Sequence, residues 1–414
     1  MADANPEGNT VKVSLNNFTK KPLYWLPVYI IVFSAFFDTH AQMPVLAPYA
    51  YSLGATPFLL GMIIGTYSLF NIIGNFTSGI IIDRRSWKLP LFAGLAAVTL
   101  ILLLYPRAGS APDLVLIRAG HGFMGGILVP SALACLTIGK EKTSKYGLRL
   151  AYFGAAIGLA AVTGPLFAGI IAARFGYPPV YYSLAGIMIL AFIISLIPVS
   201  KLETSIKHSE VLPLSYKTIS RHPPLTGAFF FAIGTMGATG TLASFLPLRA
   251  EILGLNPART GMLFAAFALT AIIIQLIWPK ILKPLLKEDY RGCMAGLILI
   301  CLALILAALV NKPAGLFAAL VCYGAGFGLS FQGMLNLVVS GSQPEWRGLA
   351  IGLFFAVYSL GVAIVPPLGG LIWQIYPAIF PFYTAAAATL ISMSAGKKAC
   401  HKQYDDVCPF QGGR

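Results

Sequence analysis

Runs of roughly 20 apolar residues recur from one end of the chain to the other, and a helix of that length matches a hydrocarbon core of about 30 Å. Nothing else in the sequence narrows the fold as far. The runs are continuous rather than alternating, which excludes an outer-membrane barrel. Only 10% of the residues are charged, against about a quarter in soluble proteins. The fold class expected is therefore an all-α polytopic membrane protein. Twelve spans are predicted, at about 24–49, 58–82, 89–106, 113–138, 149–173, 179–199, 225–248, 260–282, 293–310, 314–338, 348–372 and 378–395. Their many Gly and Pro residues are tolerated better in lipid-embedded helices than in soluble ones. The polar first twenty residues and the long first span speak against a cleaved signal peptide.

A net charge of +15 raises the question of nucleic acid. The distribution of the charge answers it. With the N-terminus on one side, 23 of the 29 Lys and Arg residues fall in connections on that side, and five (Arg107, Arg174, Arg249, Arg259 and Lys312) fall opposite. Arg118 remains inside a span. The positive-inside rule then expects both termini in the cytoplasm and an even number of spans, in a plasma or inner membrane. The basic excess reads as topology with some attraction to anionic lipid, and no nucleic-acid partner is expected.

The longest polar stretch, 200–224, divides the chain into two sets of six spans. The expected organisation is a cytoplasmic N-terminal segment 1–23, a six-helix bundle 24–199, a cytoplasmic central loop 200–224, a second six-helix bundle 225–395 and a cytoplasmic tail 396–414. A shift of 202 residues lays Gly122 on Gly324, Gly126 on Gly328, Leu133 on Leu335 and Pro165 on Pro367. Two parallel six-helix halves are a transporter architecture whose site lies near the bilayer midplane, between the halves. The six cysteines form no disulfide framework, and the spacing of Cys400, His401 and Cys408 matches no standard zinc pattern. Neither a metal nor a cofactor is expected.

The residues carrying chemistry now stand out. Asp38 is the single acid well inside a span, where an ionisable group costs several kcal/mol unless it meets water or a partner. Gln42 lies one turn on, on the same face. His40 points elsewhere and reads as a packing residue. Arg118 sits a short way into span 4, with His121 three residues on. Candidate cavity residues are Gln42, Asn71, Asn75, Gln275, Gln332, Asn336 and Tyr358, most of the phenylalanines serving to pack or face lipid. No phosphate-binding loop ending in Lys-Ser/Thr is present, and no Ser and His are paired, so neither an enzyme nor an ATP-driven pump is expected.

The motifs resemble the major facilitator superfamily over nearly the whole chain. "GIIIDRRSWK" is similar to that family's loop between helices 2 and 3 at Gly79, Asp83, Arg84 and Lys88, with Ser86 and Trp87 departing from it. "IRAGHGFMGG" resembles the helix 4 signature at Arg118 and Gly122. "GAAIGLAAVTGPLFAG" resembles the helix 5 signature of the exporter branches at Gly154, Gly158, Gly164 and Pro165, with Ala160 and Ala168 in place of glycines. Taken with "MPVLAPYA" at the end of span 1, the resemblance is to the twelve-span drug:proton antiporters. It implies two pseudo-symmetric six-helix bundles that rock about a central cavity. It implies that Arg118 tunes a nearby acid or carbonyl during proton transfer and that helix 5 seals against leak. Asp38, from its place inside a span, reads as the proton-coupling or cation-binding acid, with a structural hydrogen bond to a neighbouring helix as the alternative, and the three-residue spacing of His121 from Arg118 places it to join that network. The resemblance also implies a cytoplasmic gate in which Asp83 sits against the start of helix 11, near Trp346 to Leu349. Arg85 reads as an ordinary positive-inside residue.

The function expected is a secondary active exporter that exchanges inward protons for an amphipathic organic solute, such as a drug or a secreted metabolite. It would work as a monomer in the lipid bilayer. A proton-coupled symporter for uptake and a non-transporting membrane sensor on the same scaffold remain as alternatives. Only the helix 5 signature argues against the first, and the lack of a long structured loop against the second.

Overall fold

The computed structural model describes residues 25–84, 86–136, 143–200, 222–343 and 346–407. The N-terminal segment 1–23, Arg85, most of the central loop and Cys408 lie outside the described residues. The secondary structure is helical throughout the described residues. Twelve positions are filled by α1 (Leu26–Ala41 and, after a bend, Leu46–Ser52), α2 (Pro57–Arg84), α3 (Lys88–Leu102), α4 (Ala111–Leu136), α5 (Thr143–Phe175), α6 (Pro178–Ser200), α7 (Pro223–Ile252), α8 (Pro257–Ile277, continued by a π turn Trp278–Leu282 and Lys283–Leu286), α9 (Asp289–Leu309), α10 (Pro313–Ser340), α11 (Arg347–Ile375) and α12 (Phe380–Val407).

Several starts are written in the sequence. Pro57, Pro178, Pro223, Pro257 and Pro313 each stand first in their helix, where a missing N–H costs nothing and the fixed φ is already helical. Asn256 caps α8 by accepting a hydrogen bond from the Arg259 N–H at 2.9 Å. Gly54 and Gly254 adopt φ +82° and +76° just after α1 and α7, closing both helices with a left-handed residue that a side chain would disfavour.

The structure departs from the expected spans in two places. The first span is broken at residues 42–45, with 48° between its pieces; Pro44 supplies no N–H to the ladder there. The last helix continues past the expected end at 395 to Val407. Among the described residues ten helices are long and apolar enough to cross a membrane, and the two pieces of α1 make an eleventh if counted as one span. The twelfth, α12, has 28 residues but carries Thr384, Thr389, Ser392, Ser394, Lys397 and Lys398. Thr389 returns its hydroxyl hydrogen to the Ala385 and Gly234 carbonyls. The outer surface is apolar: Leu116 on α4, Leu276 on α8 and Ile391 on α12 are each more than 70% exposed, as lipid-facing side chains are.

Within residues 26–200, α1 packs on α5 and α6, α2 and α3 pack on α4, and α3 packs on α6. The pairings α7 with α11 and α12, α8 and α9 with α10, and α9 with α12 repeat the same scheme in the second set. The close approaches repeat as well. A Cβ added at Gly122 would meet the Tyr67 carbonyl, and one at Gly324 the Phe267 carbonyl; Gly126 faces Asn71 as Gly328 faces Ala271.

The two sets meet through α2 with α11 and α5 with α8. Along α2 and α11 the touching residues are Pro57 with Gly370, Gly61 with Pro366 and Gly65 with Ala363. Along α8 and α5 they are Pro257 with Gly169, Gly261 with Pro165 and Ile272 with Gly158. All but the mid-helix pair Ile272 and Gly158 lie toward the end that carries the Gly54 and Gly254 turns, called here the turn end. Toward the other end, where most of the basic connections lie, Gly79, Gly154, Gly348 and Gly352 face open space. Among the described residues the close backbone contacts between the two sets thus run from the turn end to mid-helix, and the glycines named toward the basic end make none.

Candidate functional site

The deepest polar cluster lies inside the first bundle. Asp38 stands twelve residues into α1, about 18 Å from its start, and is 2% exposed. Its Oδ1 accepts a hydrogen bond from Gln42 Nε2 at 2.7 Å, one turn on. Its Oδ2 lies 2.8 Å from His121 Nε2 on α4. The Gln42 Oε1 in turn accepts from Arg118 at 3.1 Å. The orientation of that amide follows from its partners, because a guanidinium offers no acceptor and a carboxylate no donor. Arg118 also donates from Nε to the Ile63 carbonyl at 3.2 Å, and its guanidinium lies 4.1 Å from the centre of the Tyr67 ring. The Tyr67 hydroxyl comes within 3.4 Å of Thr39 Oγ1. On the far side of His121, Nδ1 lies 3.0 Å from the Tyr105 hydroxyl.

Asp38 and Arg118 are therefore connected without forming an ion pair, because a neutral amide stands between them. Isolated charges at this depth would cost several kcal/mol each. Here the acid meets two donors, and the base meets two oxygens and a ring face. The arrangement can hold Asp38 as a carboxylate, and a proton arriving on it would remove the charge that orients Gln42 and His121.

The structure brings Asp38, Arg118 and His121 together. It also moves Gln42, expected on the cavity wall, into the network, where it is 2% exposed; the α1 turn that stacks it on Asp38 also faces it to Arg118. His40 takes no part, its Nδ1 lying 2.7 Å from the Phe36 carbonyl. Asn71 and Asn75 tie α2 to α4: Asn71 donates to the Gly122 carbonyl at 3.3 Å and Asn75 donates to Asn71 at 2.8 Å. Gln275 is half-buried and has no hydrogen bond among the described residues. Gln332 donates to Asn336 at 3.3 Å, and Asn336 to Asp289 at 2.8 Å at the start of α9. Tyr358 belongs to an aromatic wall with Phe331, Phe354 and Phe355, at centroid distances of 5.8 to 6.0 Å.

The gate expected at Asp83 is not formed in this structure. Asp83 and Arg84 are exposed, and Asp83 has no hydrogen bond or ion pair among the described residues. At the start of α11, Trp346 packs instead on His222 at 5.2 Å and reaches Gln343. The acid faces solvent and meets no helix terminus among the described residues. Lys88 is half-buried, 5.8 Å from the centre of the Trp87 ring. In α5, Gly164 backs onto Phe37 and Ala41 of α1, whereas Pro165 presents its carbonyl to Gly261 of α8.

Other residues escaped sequence reasoning. Tyr105 and Tyr67 complete the shell around His121. Arg149, read as a loop charge, is buried; it donates to the Leu136 carbonyl at 3.2 Å and lies 4.3 Å from the centre of the Trp25 ring. The turn-end contacts had a signal that a 202-residue shift misses. At 200 residues, "LGATPFLLGM" from Leu53 falls on "LGLNPARTGM" from Leu253.

The molecule is two bundles with matching contacts, the first of which holds a buried charge. The model of the Major Facilitator Superfamily matches residues 28–366. The chain belongs to that superfamily. An uncharacterized MFS-type transporter of Methanocaldococcus jannaschii is 23% identical over 345 residues, covering 81% of this chain and 88% of that one. The multidrug resistance protein MdtG of Escherichia coli O9:H4 is 24% identical over 390 residues, covering 90% and 94%. Among solved structures, a bacterial homolog of the human lysosomal transporter Spinster, inward-facing and unoccupied, superposes with a TM-score of 0.75. It has 14% identity over 94% of this chain and 99% of that one. The peptide transporter POT with alafosfalin also gives 0.75, at 14% identity over 94% and 96%. These structures share the fold. The chain is thus a superfamily transporter, a multi-pass membrane protein that acts on a small molecule.

Proposed function

We propose that this transporter exports amphipathic organic compounds in exchange for protons. The observation that carries this reading is Asp38, sealed halfway along α1 between Gln42 and His121, with Arg118 one amide away. A membrane-buried acid is costly to keep, and such acids serve as proton or ion carriers in transport proteins. The basic end is assigned to the cytoplasm by its Lys and Arg excess. Both termini then lie inside, and the structure represents a state open to the cytoplasm.

In this reading a solute enters the cleft from the cytoplasm and meets the aromatic wall of Phe331, Phe355 and Tyr358, with Gln332 as a polar contact. Few fixed charges line that wall, which suits an amphipathic molecule. Closure at the basic end brings Asp83 to the start of α11, where the free N–H groups and helix dipole favour an anion. Opening at the turn end releases the solute and lets a proton reach Asp38. The named multidrug resistance relative supports export of drug-like compounds, and a single chain in the plasma membrane suffices for the cycle.

The test is dye accumulation in everted vesicles under an imposed pH gradient. Acidifying the lumen should drive uptake, and Asp38→Asn should abolish the dependence on the gradient. Gradient-driven accumulation that Asp38→Asn leaves intact would refute the coupling role. Uptake into right-side-out vesicles, driven by an inward proton gradient, would instead establish the symporter.

A further inference from the structure

The network continues beyond the carboxylate to a tyrosine outside the motifs. Tyr105 is fully buried in the short turn between α3 and α4. Its ring is stacked on Tyr181 of α6, with centroids 4.4 Å apart and planes 3° from parallel. Its carbonyl accepts a hydrogen bond from the Tyr49 hydroxyl at 2.8 Å. The hydroxyl so placed lies 3.0 Å from His121 Nδ1, while Nε2 faces Asp38 at 2.8 Å. Tyr67 and Tyr105 both meet the imidazole edge-on, at 5.3 and 5.8 Å. The charged or titratable groups facing Tyr105 are thus His121, Asp38, Arg118, Tyr67, Tyr181 and Tyr49. His40 on the same helix as Asp38 bonds to its own backbone.

The direction of the Tyr105–His121 bond follows from those neighbours. Asp38 as a carboxylate has only acceptors, so Nε2, 2.8 Å from Oδ2, donates to it. A neutral ring protonated there offers Nδ1 as its acceptor, so the phenol proton, 3.0 Å away, points to Nδ1. An imidazole that accepts at Nδ1 carries its proton on Nε2, which is the nitrogen facing Asp38. A doubly protonated ring would set an N–H against the phenol proton and leave the latter no acceptor.

We propose that Tyr105 is a positioning residue that holds His121 in the Nε2–H form, committing the histidine to donate to Asp38 and leaving Asp38 as the member of the pair that takes up a proton. This rests on the coupling role of Asp38 proposed above. The test uses the full-length chain in nanodiscs with 15N-labelled histidine, the His121 signals being identified by their loss in His121→Asn. At pH 7.5 the wild type should show a protonated Nε2 and an unprotonated, hydrogen-bonded Nδ1. Tyr105→Phe keeps the stacked ring and removes the hydroxyl; Nδ1 should lose that signature or gain a proton over part of the population. The pH profile of dye exchange should then move by about half a unit or more, as loss of one hydrogen bond implies. Tyr49→Phe removes the hydrogen bond to the Tyr105 carbonyl, keeps the ring against Tyr177 and Tyr181, and should leave the His121 spectrum unchanged. A wild-type Nδ1–H, or a Tyr105→Phe spectrum that superposes on the wild type, would overturn the proposal. Exchange that ignores the pH gradient in every variant would refute antiport, while the ring-nitrogen spectrum would still decide the part played by Tyr105.

Discussion

Closure of the turn end depends on helices whose backbones touch, and a single methyl group tests it. An added Cβ at Gly261 would lie against the Pro165 carbonyl oxygen and 3.0 Å from its carbon. At Gly169 it would lie 2.5 Å from the Pro257 oxygen. The obstructing atoms are backbone, which has no rotamer to change, so α5 and α8 must separate by about 1 Å to reach ordinary van der Waals distance. Inserting a methylene-sized group into packed structure costs about 1–3 kcal/mol. The cost falls only on the closed state, because the same helix faces lie apart once the turn end opens. A differential of that size shifts a two-state equilibrium about 5- to 150-fold.

The perturbation is therefore Gly261→Ala, with Gly79→Ala and Gly352→Ala as controls whose new methyl groups meet nothing within 4 Å. In the controls the exchange of Gly for Ala favours the helix by up to about 1 kcal/mol and is indifferent to the state of the gate. Spin labels replacing the exposed Tyr51 and Ile252, one on each bundle at the turn end, report the separation by double electron–electron resonance in a background free of native cysteines. Gly261→Ala should move the distance distribution toward the longer, open population, and the controls should retain the wild-type distribution. A Gly261→Ala distribution that matches the controls would refute the claim that these backbone contacts hold the turn end shut.

Two further predictions concern buried polar groups. Gln42→Leu removes the amide between Asp38 and Arg118, leaving each with an unmet partner, and should destabilise the protein by about 2–4 kcal/mol; a fluorescence melt in detergent reads this as a lowered Tm that Asp38→Asn does not reproduce. Arg149→Gln loses the Leu136 hydrogen bond and the Trp25 ring contact. It should cost about 1–2 kcal/mol in the same melt, whereas the exposed Arg84→Gln should leave the Tm unchanged.

Much of the molecule could be read from the chain because lipid enforces simple rules. The spans show as long apolar runs, and Asp38 and Arg118 show as charges within them. The four-residue spacing of Gln42 from Asp38 placed both on one face, but its second partner, Arg118, is 76 residues away, and no local pattern encodes that. Tyr105 was hidden because a tyrosine at the end of a span looks like an interfacial anchor. Arg149 was hidden among basic residues that topology already explained, since the start of α5 at Thr143 lengthens that helix into the expected loop.

The internal symmetry shows best why a partial reading came out as it did. In the structure, Pro57, Gly61 and Asn71 correspond to Pro257, Gly261 and Ala271, a shift of 200 residues. Gly94 against Leu128 and Gly122 against Tyr67 correspond to Gly296 against Ser330 and Gly324 against Phe267, so that α3 and α4 relate to α9 and α10 by 202. The second half is thus two residues longer between Ala271 and Gly296. Within that interval α8 widens to the π turn Trp278–Leu282, which accommodates one extra residue without breaking the helix, and α8 ends at Leu286, 202 residues after Arg84, where α2 ends. An insertion taken up inside a helix leaves no loop to mark it, so one fixed shift recovers α4, α5, α10 and α11 while losing α2 and α8. Those two helices carry Gly61 and Gly261, which meet α11 and α5 to close the turn end.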